Sequence, residues 1–172
     1  MLNTIASVVF LIISFLLQST LFSTFSVAGI VPNLMIIVVA SIGFLVGRKY
    51  GLLVGFAAGL LMDVFFGSLV GIYALFYMYL GYLNGLFKKI LFPNDFKLPI
   101  MLIVGSNLIY GHCCYIVFFL LRGDFNYLYY LRKIIIPETV YTTLMACILY
   151  PVIQFTFRKI AAHEEKAEEI IG

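Results

Sequence analysis

Apolar residues run along this chain in long uninterrupted stretches, with polar residues gathered at their edges. Neither the alternation of a half-buried strand nor the spacing of a soluble amphipathic helix is sustained. A helix needs about 20 apolar residues to cross the hydrocarbon of a membrane, with a range of about 17 to 25. On that measure the chain predicts six membrane helices, at about Thr4 to Phe22, Asn33 to Val46, Gly51 to Phe66, Val70 to Phe87, Leu98 to Leu121 and Pro137 to Phe157. The first has neither a basic start nor a small-residue cleavage site, so it reads as a retained span rather than a signal peptide. The expected architecture is all-α: a single six-helix transmembrane domain over residues 1–157, followed by a charged tail over 158–172 that reads as solvated helix.

The second and third helices are short. Merging them would place Arg48 and Lys49 near mid-membrane, at a cost of about 2.5 to 3.5 kcal/mol each. A break at Gly47-Arg48-Lys49-Tyr50-Gly51 instead puts both charges in an interfacial turn. Orientation follows from the basic residues. With the N-terminus inside, inner segments hold Arg48, Lys49, Lys88, Lys89, Lys97, Arg158, Lys159 and Lys166, and outer segments hold Arg122, Arg132 and Lys133. That asymmetry predicts cytoplasmic termini.

Composition removes a water-soluble alternative. Of 172 residues, 63% are hydrophobic and 11% charged, and the mean hydropathy is +1.10. Soluble domains carry about 25% charged residues. The net charge of +3 is small and makes no case for nucleic acid. Cys113, Cys114 and Cys147 lie inside apolar stretches, at no metal or redox spacing. Nucleophile elbows, HExxH helices, phosphate-cradling glycine loops and clusters of intramembrane acids with histidine are all missing from the sequence. The chain therefore reads as non-enzymatic, with no cofactor.

The sharpest local pattern lies in the third helix, where Gly51, Gly55, Gly59 and Asp63 recur at every fourth position, followed by Gly67 and Gly71. Such positions share nearly one helix face, and small residues there let another backbone approach closely. Asp63 then points toward protein. It either fixes helix register through nearby backbone and hydroxyl groups, or anchors a partner or substrate. Glu138, after Pro137, suits the positive end of the last helix, and a charge network with Arg122, Arg132 or Lys133 is the alternative. Ser106, Asn107, Tyr110 and His112 bring polar atoms into the fifth helix. Together with Gln18 and Asn84 they read as interhelical hydrogen-bonding groups; His112 is also a candidate proton-responsive group. Gly81 and Gly85 form a second close-packing patch, and Asp124 to Lys133 reads as an aromatic outer belt or a docking platform.

The run from Gly51 through Gly55, Phe56, Gly59 and Asp63 to Gly67, Gly71 and Leu75 resembles the signature of the bacterial rod shape-determining MreD family. Gln18-Ser19-Thr20, Pro32-Asn33-Leu34, Pro137-Glu138 and Tyr150-Pro151 are similar to flanking features of that family, so the resemblance covers nearly the whole chain. In the last helix, where relatives carry an asparagine, this chain has Ala146 or its neighbours. The resemblance implies a non-enzymatic scaffold in the inner membrane that binds MreC, a single-pass protein with a periplasmic domain. Through MreC it would connect MreB filaments with the glycosyltransferase and transpeptidase that build peptidoglycan; a homodimer is also compatible with it. It implies a fold similar to the substrate-binding subunits of energy-coupling-factor vitamin transporters. On the expected mechanism, the glycine face and Asp63 receive a partner helix, with Glu138 supporting it. A vitamin-transporter subunit is the alternative function, and would need a polar, ligand-sized pocket at the outer end.

Overall fold

A computed structural model of the chain describes residues 2–21, 29–67, 70–90, 96–119, 123 and 125–171. Among these the regular elements are all helical. They are α1 (Leu2–Leu16), α2 (Leu34–Val46), α3 (Arg48–Phe66), α4 (Ile72–Leu86), α5 (Lys97–Phe118), a single turn α6 (Tyr127–Tyr130), and α7 (Ile136–Ile171). A π-helical segment, Leu17–Leu21, extends α1, and a second, Leu131–Ile135, joins α6 to α7. Residues 22–28, 120–122 and 124 lie outside the described set. Most of the first expected outer loop, the end of the fifth expected helix, Arg122 and Asp124 fall there.

The surface is inverted relative to a soluble protein. On α1, Ser7 and Ser14 face inward while Ile5, Val8, Val9, Ile12, Ile13 and Leu16 face outward. Asn33, Asp63, Asn84, Asn107, Thr142 and Gln154 are likewise buried, whereas Leu53, Val64, Phe65, Leu144 and Ile148 are exposed. Lipid tails are as apolar as leucine, so such a bundle has no reason to hide its aliphatic side chains and strong reason to hide its polar ones.

Among the described residues, four helical stretches are long and apolar enough to cross a membrane: Leu2–Thr20, Arg48–Phe66, Lys97–Phe118 and Tyr127–His163. The other two expected helices are present but shorter, α2 with 13 residues and α4 with 15. At about 1.5 Å per residue α2 is about 20 Å long, against about 30 Å of hydrocarbon. It tolerates this because it forms the centre of the bundle: every residue from Leu34 to Phe44 is buried. A helix sheathed in protein has no lipid thickness to match. A helix that is apolar all round suits either a protein core or lipid, and α2 takes the first, through contacts with α1, α3, α4, α5 and α7.

The break between α2 and α3 is tighter than a five-residue interfacial turn. Gly47 alone makes it, at φ 124 and ψ 174, and Arg48 already begins α3. That φ lies where a side chain is strained, so glycine is what allows two helices to meet through one residue. The Lys88 ammonium, beyond the end of α4, donates to the Val46 carbonyl at 2.7 Å and so places a cation at the C-terminus of α2. At the other end of the chain, α7 runs without interruption past Pro151 and Arg158 to Ile171, so the charged tail continues the last helix.

Candidate functional site

The glycine pattern of α3 builds an antiparallel seam with α4. A Cβ on Gly51 would strike the Gly81 carbonyl oxygen and lie 2.7 Å from the Gly43 Cα, so three backbones converge there. A Cβ on Gly55 would strike the Tyr77 carbonyl, and one on Gly59 the Ala74 Cα. Gly85 completes the seam, since a Cβ there would strike the Arg48 Cα. Close backbone approach through small residues is the expected device, but its occupant differs from the expected one. The face assigned to a partner helix is filled by α4 of the same chain, and a partner would have to displace it.

Asp63 ends this seam. It is 1% exposed. The Tyr73 N–H donates to its Oδ1 at 3.0 Å and the Ala74 N–H to its Oδ2 at 2.8 Å. Both donors belong to the first turn of α4, whose free N–H groups carry the positive end of the helix dipole. Asp63 thus caps the start of α4 from a buried position, in keeping with the register-fixing alternative. Gly67 sits where a Cβ would lie 2.6 Å from the Asp63 carbonyl oxygen, and Gly71, at φ 107, turns the chain into α4. The aspartate and both glycines make one folded-back corner.

The start of α2 has the same problem and a similar solution. Asn33 Oδ1 accepts from the Ile36 N–H at 3.2 Å and from the Tyr77 hydroxyl at 2.9 Å. Gln18, carried on the π segment of α1, accepts from the Met35 N–H at 3.2 Å. The Asn33 N–H donates to Thr142 Oγ1 on α7 at 3.0 Å, and Glu138 of the same helix lines one cavity with Asn33. Asn33 is therefore the hub of this end of the bundle, a role not assigned to it from sequence. The signal was available, since Pro32-Asn33 directly before an apolar run is an N-cap pattern. Glu138 shares a cavity with this asparagine, while Arg132 and Lys133 are exposed on the π segment between α6 and α7; Arg122 lies outside the described residues.

The polar residues of α5 hold neighbouring elements. The Asn107 amide donates to Thr139 Oγ1 on α7 at 3.0 Å, and the Asn84 amide to Ser106 Oγ at 2.7 Å. His112 bridges the Leu108 carbonyl, at 2.6 Å from Nδ1, and the Tyr127 hydroxyl, at 2.7 Å from Nε2. A carbonyl only accepts, so Nδ1 carries a proton and, in the neutral ring, Nε2 accepts from Tyr127.

Between these caps lies a cavity of about 400 Å³, whose lining includes Gln18, Asn33 and Glu138. Tyrosine and phenylalanine rings from α4, α5 and α6 form much of the remaining wall. Among the described residues no group of three or more histidine, cysteine or acidic side chains is placed to hold a metal ion.

Polar groups turned inward, aliphatic groups turned outward and short helices capped by buried side chains define a multi-pass helical membrane protein. The model of the family described as rod shape-determining protein MreD matches residues 1–160. The chain belongs to that family, whose role is in the determination of rod shape. No curated protein and no solved structure matches the chain.

Proposed function

We propose that this chain is a non-catalytic scaffold of the cell-wall elongation machinery, crossing the inner membrane six times with both termini in the cytoplasm. Its direct partner is MreC, and through MreC it reaches MreB and the glycosyltransferase and transpeptidase that make peptidoglycan. The observation that carries this reading is the family match over residues 1–160. On this orientation the Asn33 end of the bundle faces the periplasm, where MreC carries its domain.

With α4 filling the glycine seam, the membrane helix of MreC docks elsewhere, on the outward stripe of α7. Ile136, Val140, Leu144 and Ile148 are all exposed there at four-residue intervals. An apolar groove of about 400 Å³, lined by Ile30, Pro137, Val140, Tyr141 and Leu144, runs beside the outer half of the stripe. Cysteine cross-linking in cells tests this. With Cys147 replaced by alanine, cysteines at Val140 and Leu144 should form disulfides with single cysteines along the MreC helix, and cysteines at Leu53 and Leu83 should not. Cross-links confined to Leu53 or Leu83, or none at any of the four, would refute the docking face. Depletion of the chain tests the role itself, and should cost cells their rod shape.

A vitamin-transporter subunit is a second reading, favoured only by the ligand-sized cavity with polar groups at one end of the bundle. Co-purification of a vitamin with the chain would support it.

A further inference from the structure

We propose that the cavity beside Asn33 binds an organic ammonium group, held by the Glu138 carboxylate within a cage of aromatic rings. Its volume, about 400 Å³, falls in the range of small-molecule sites, about 300 to 1,000 Å³. Five rings line it: Tyr73 from α4, Tyr110 and Phe118 from α5, Phe119 just after α5, and Tyr130 from α6. They brace one another, with centroids 5.5 Å apart for Tyr73 and Phe118, 6.3 Å for Tyr73 and Tyr110, and 4.7 Å for Phe119 and Tyr130. Ring faces attract a cation within about 6 Å, which is how aromatic cages recognise ammonium ligands.

Glu138 supplies the charge. It is the one carboxyl group among the described lining residues, and the two lone pairs of the neighbouring Asn33 Oδ1 are already taken by the Ile36 N–H and the Tyr77 hydroxyl. Among the described lining residues there is no lysine or arginine. An anionic ligand would face an acid and the electron-rich faces of rings. An apolar one would give the acid nothing to bind. An ammonium group satisfies both the acid and the rings. It could be carried by the amino headgroup of a phospholipid or by a free amine, and the chemistry of the cage is common to the two.

The test uses the full chain in nanodiscs of phosphatidylglycerol, titrated with choline, with ethanolamine, and with 3,3-dimethylbutanol, the neutral isostere of choline. Thermal unfolding is the readout. The amines should raise Tm saturably and the isostere should not. Glu138→Gln should weaken the apparent Kd by about tenfold or more, the scale of one charge-assisted contact, while Glu138→Asp should retain most of the response. Adding phosphatidylethanolamine to the nanodiscs separates the sources. A lipid ligand stabilises the wild type over Glu138→Gln and suppresses the response to free amine; a free-amine ligand leaves that response intact. The proposal is overturned if the isostere acts as well as choline, if Glu138→Gln titrates like the wild type, or if no addition gives a saturable shift. Should Glu138→Gln fail to fold, the comparison of choline with its isostere on the wild type still decides.

Discussion

Replacing Asp63 with alanine removes both acceptors from the start of α4. The N–H groups of Tyr73, part-buried, and Ala74, buried, now bonded at 3.0 and 2.8 Å, would lose their partners. Interhelical hydrogen bonds in membrane proteins are worth on average about 0.6 kcal/mol each, and at most about 1.7. The two bonds therefore contribute about 1 to 3 kcal/mol. The carboxylate also faces the positive end of the α4 dipole, which in a buried geometry contributes up to about 2 kcal/mol. The sum places the loss in Asp63→Ala near about 3 kcal/mol, a large part of a typical stability of about 5 to 15 kcal/mol. Asp63→Asn keeps one acceptor oxygen and loses the charge, so it should lose about half as much. Reversible unfolding of the purified chain in mixed micelles measures both. The ranking wild type, Asp63→Asn, Asp63→Ala is expected, and the alanine variant should also accumulate poorly in cells. If Asp63→Ala unfolded within about 0.5 kcal/mol of wild type while losing MreC in pull-downs, the cap account would be refuted and Asp63 would be a partner anchor.

Two further substitutions separate the seam from its surroundings in the same assay. Gly51→Ala would drive a methyl into the Gly81 carbonyl and against Gly43, and should cost about 2 to 3 kcal/mol by overpacking; Gly105→Ala, whose Cβ would meet nothing within 4 Å, should stabilise α5 by up to about 1 kcal/mol. Equal effects of the two would show that the glycines act through helix propensity rather than contact. Ser106→Ala removes the 2.7 Å bond from Asn84 and should cost about 0.6 to 1.7 kcal/mol; a double-mutant cycle with Asn84→Ala should return coupling of that size, and no coupling would show the bond to be energetically idle.

Helices were legible in the sequence because apolar runs and their interruptions carry that information directly. The break at Gly47 followed from the cost of burying Arg48 and Lys49, and the glycine face of α3 followed from its spacing. What filled that face was not legible. A small-residue stripe states that something comes close, and only the fold says that it is the next helix of the same chain. Asp63 illustrates the same gap, for its partners lie 10 and 11 residues onward, across a turn. Its four-residue spacing from Gly59 advertised the packing face but not the helix start it caps. Asn33 was harder still, because Thr142 lies 109 positions away. The shortness of α2 and α4 was visible in sequence. Its consequence, helix starts capped by the buried side chains of Asn33 and Asp63, became visible only in the fold.

These caps and contacts divide the bundle into parts with different grips. Helices α2, α3 and α4 are joined by backbone contact at Gly43, Gly51 and Gly81, by the Asp63 cap and by the single-residue turn at Gly47. They cannot separate without breaking several of these at once. Helix α7 is attached differently, through side chains: Thr142 accepts from the Asn33 N–H and Thr139 from the Asn107 amide. The outward stripe of α7 carries isoleucine, valine and leucine rather than glycine. A helix docking there is kept at side-chain distance, and its contact rests on dispersion spread over many atoms. Such an interface yields gradually as side chains are trimmed, whereas the α3–α4 seam is strained by a single added methyl. The stiff contact thus lies inside the bundle and the forgiving one outside, which is how this chain distributes its small and large residues.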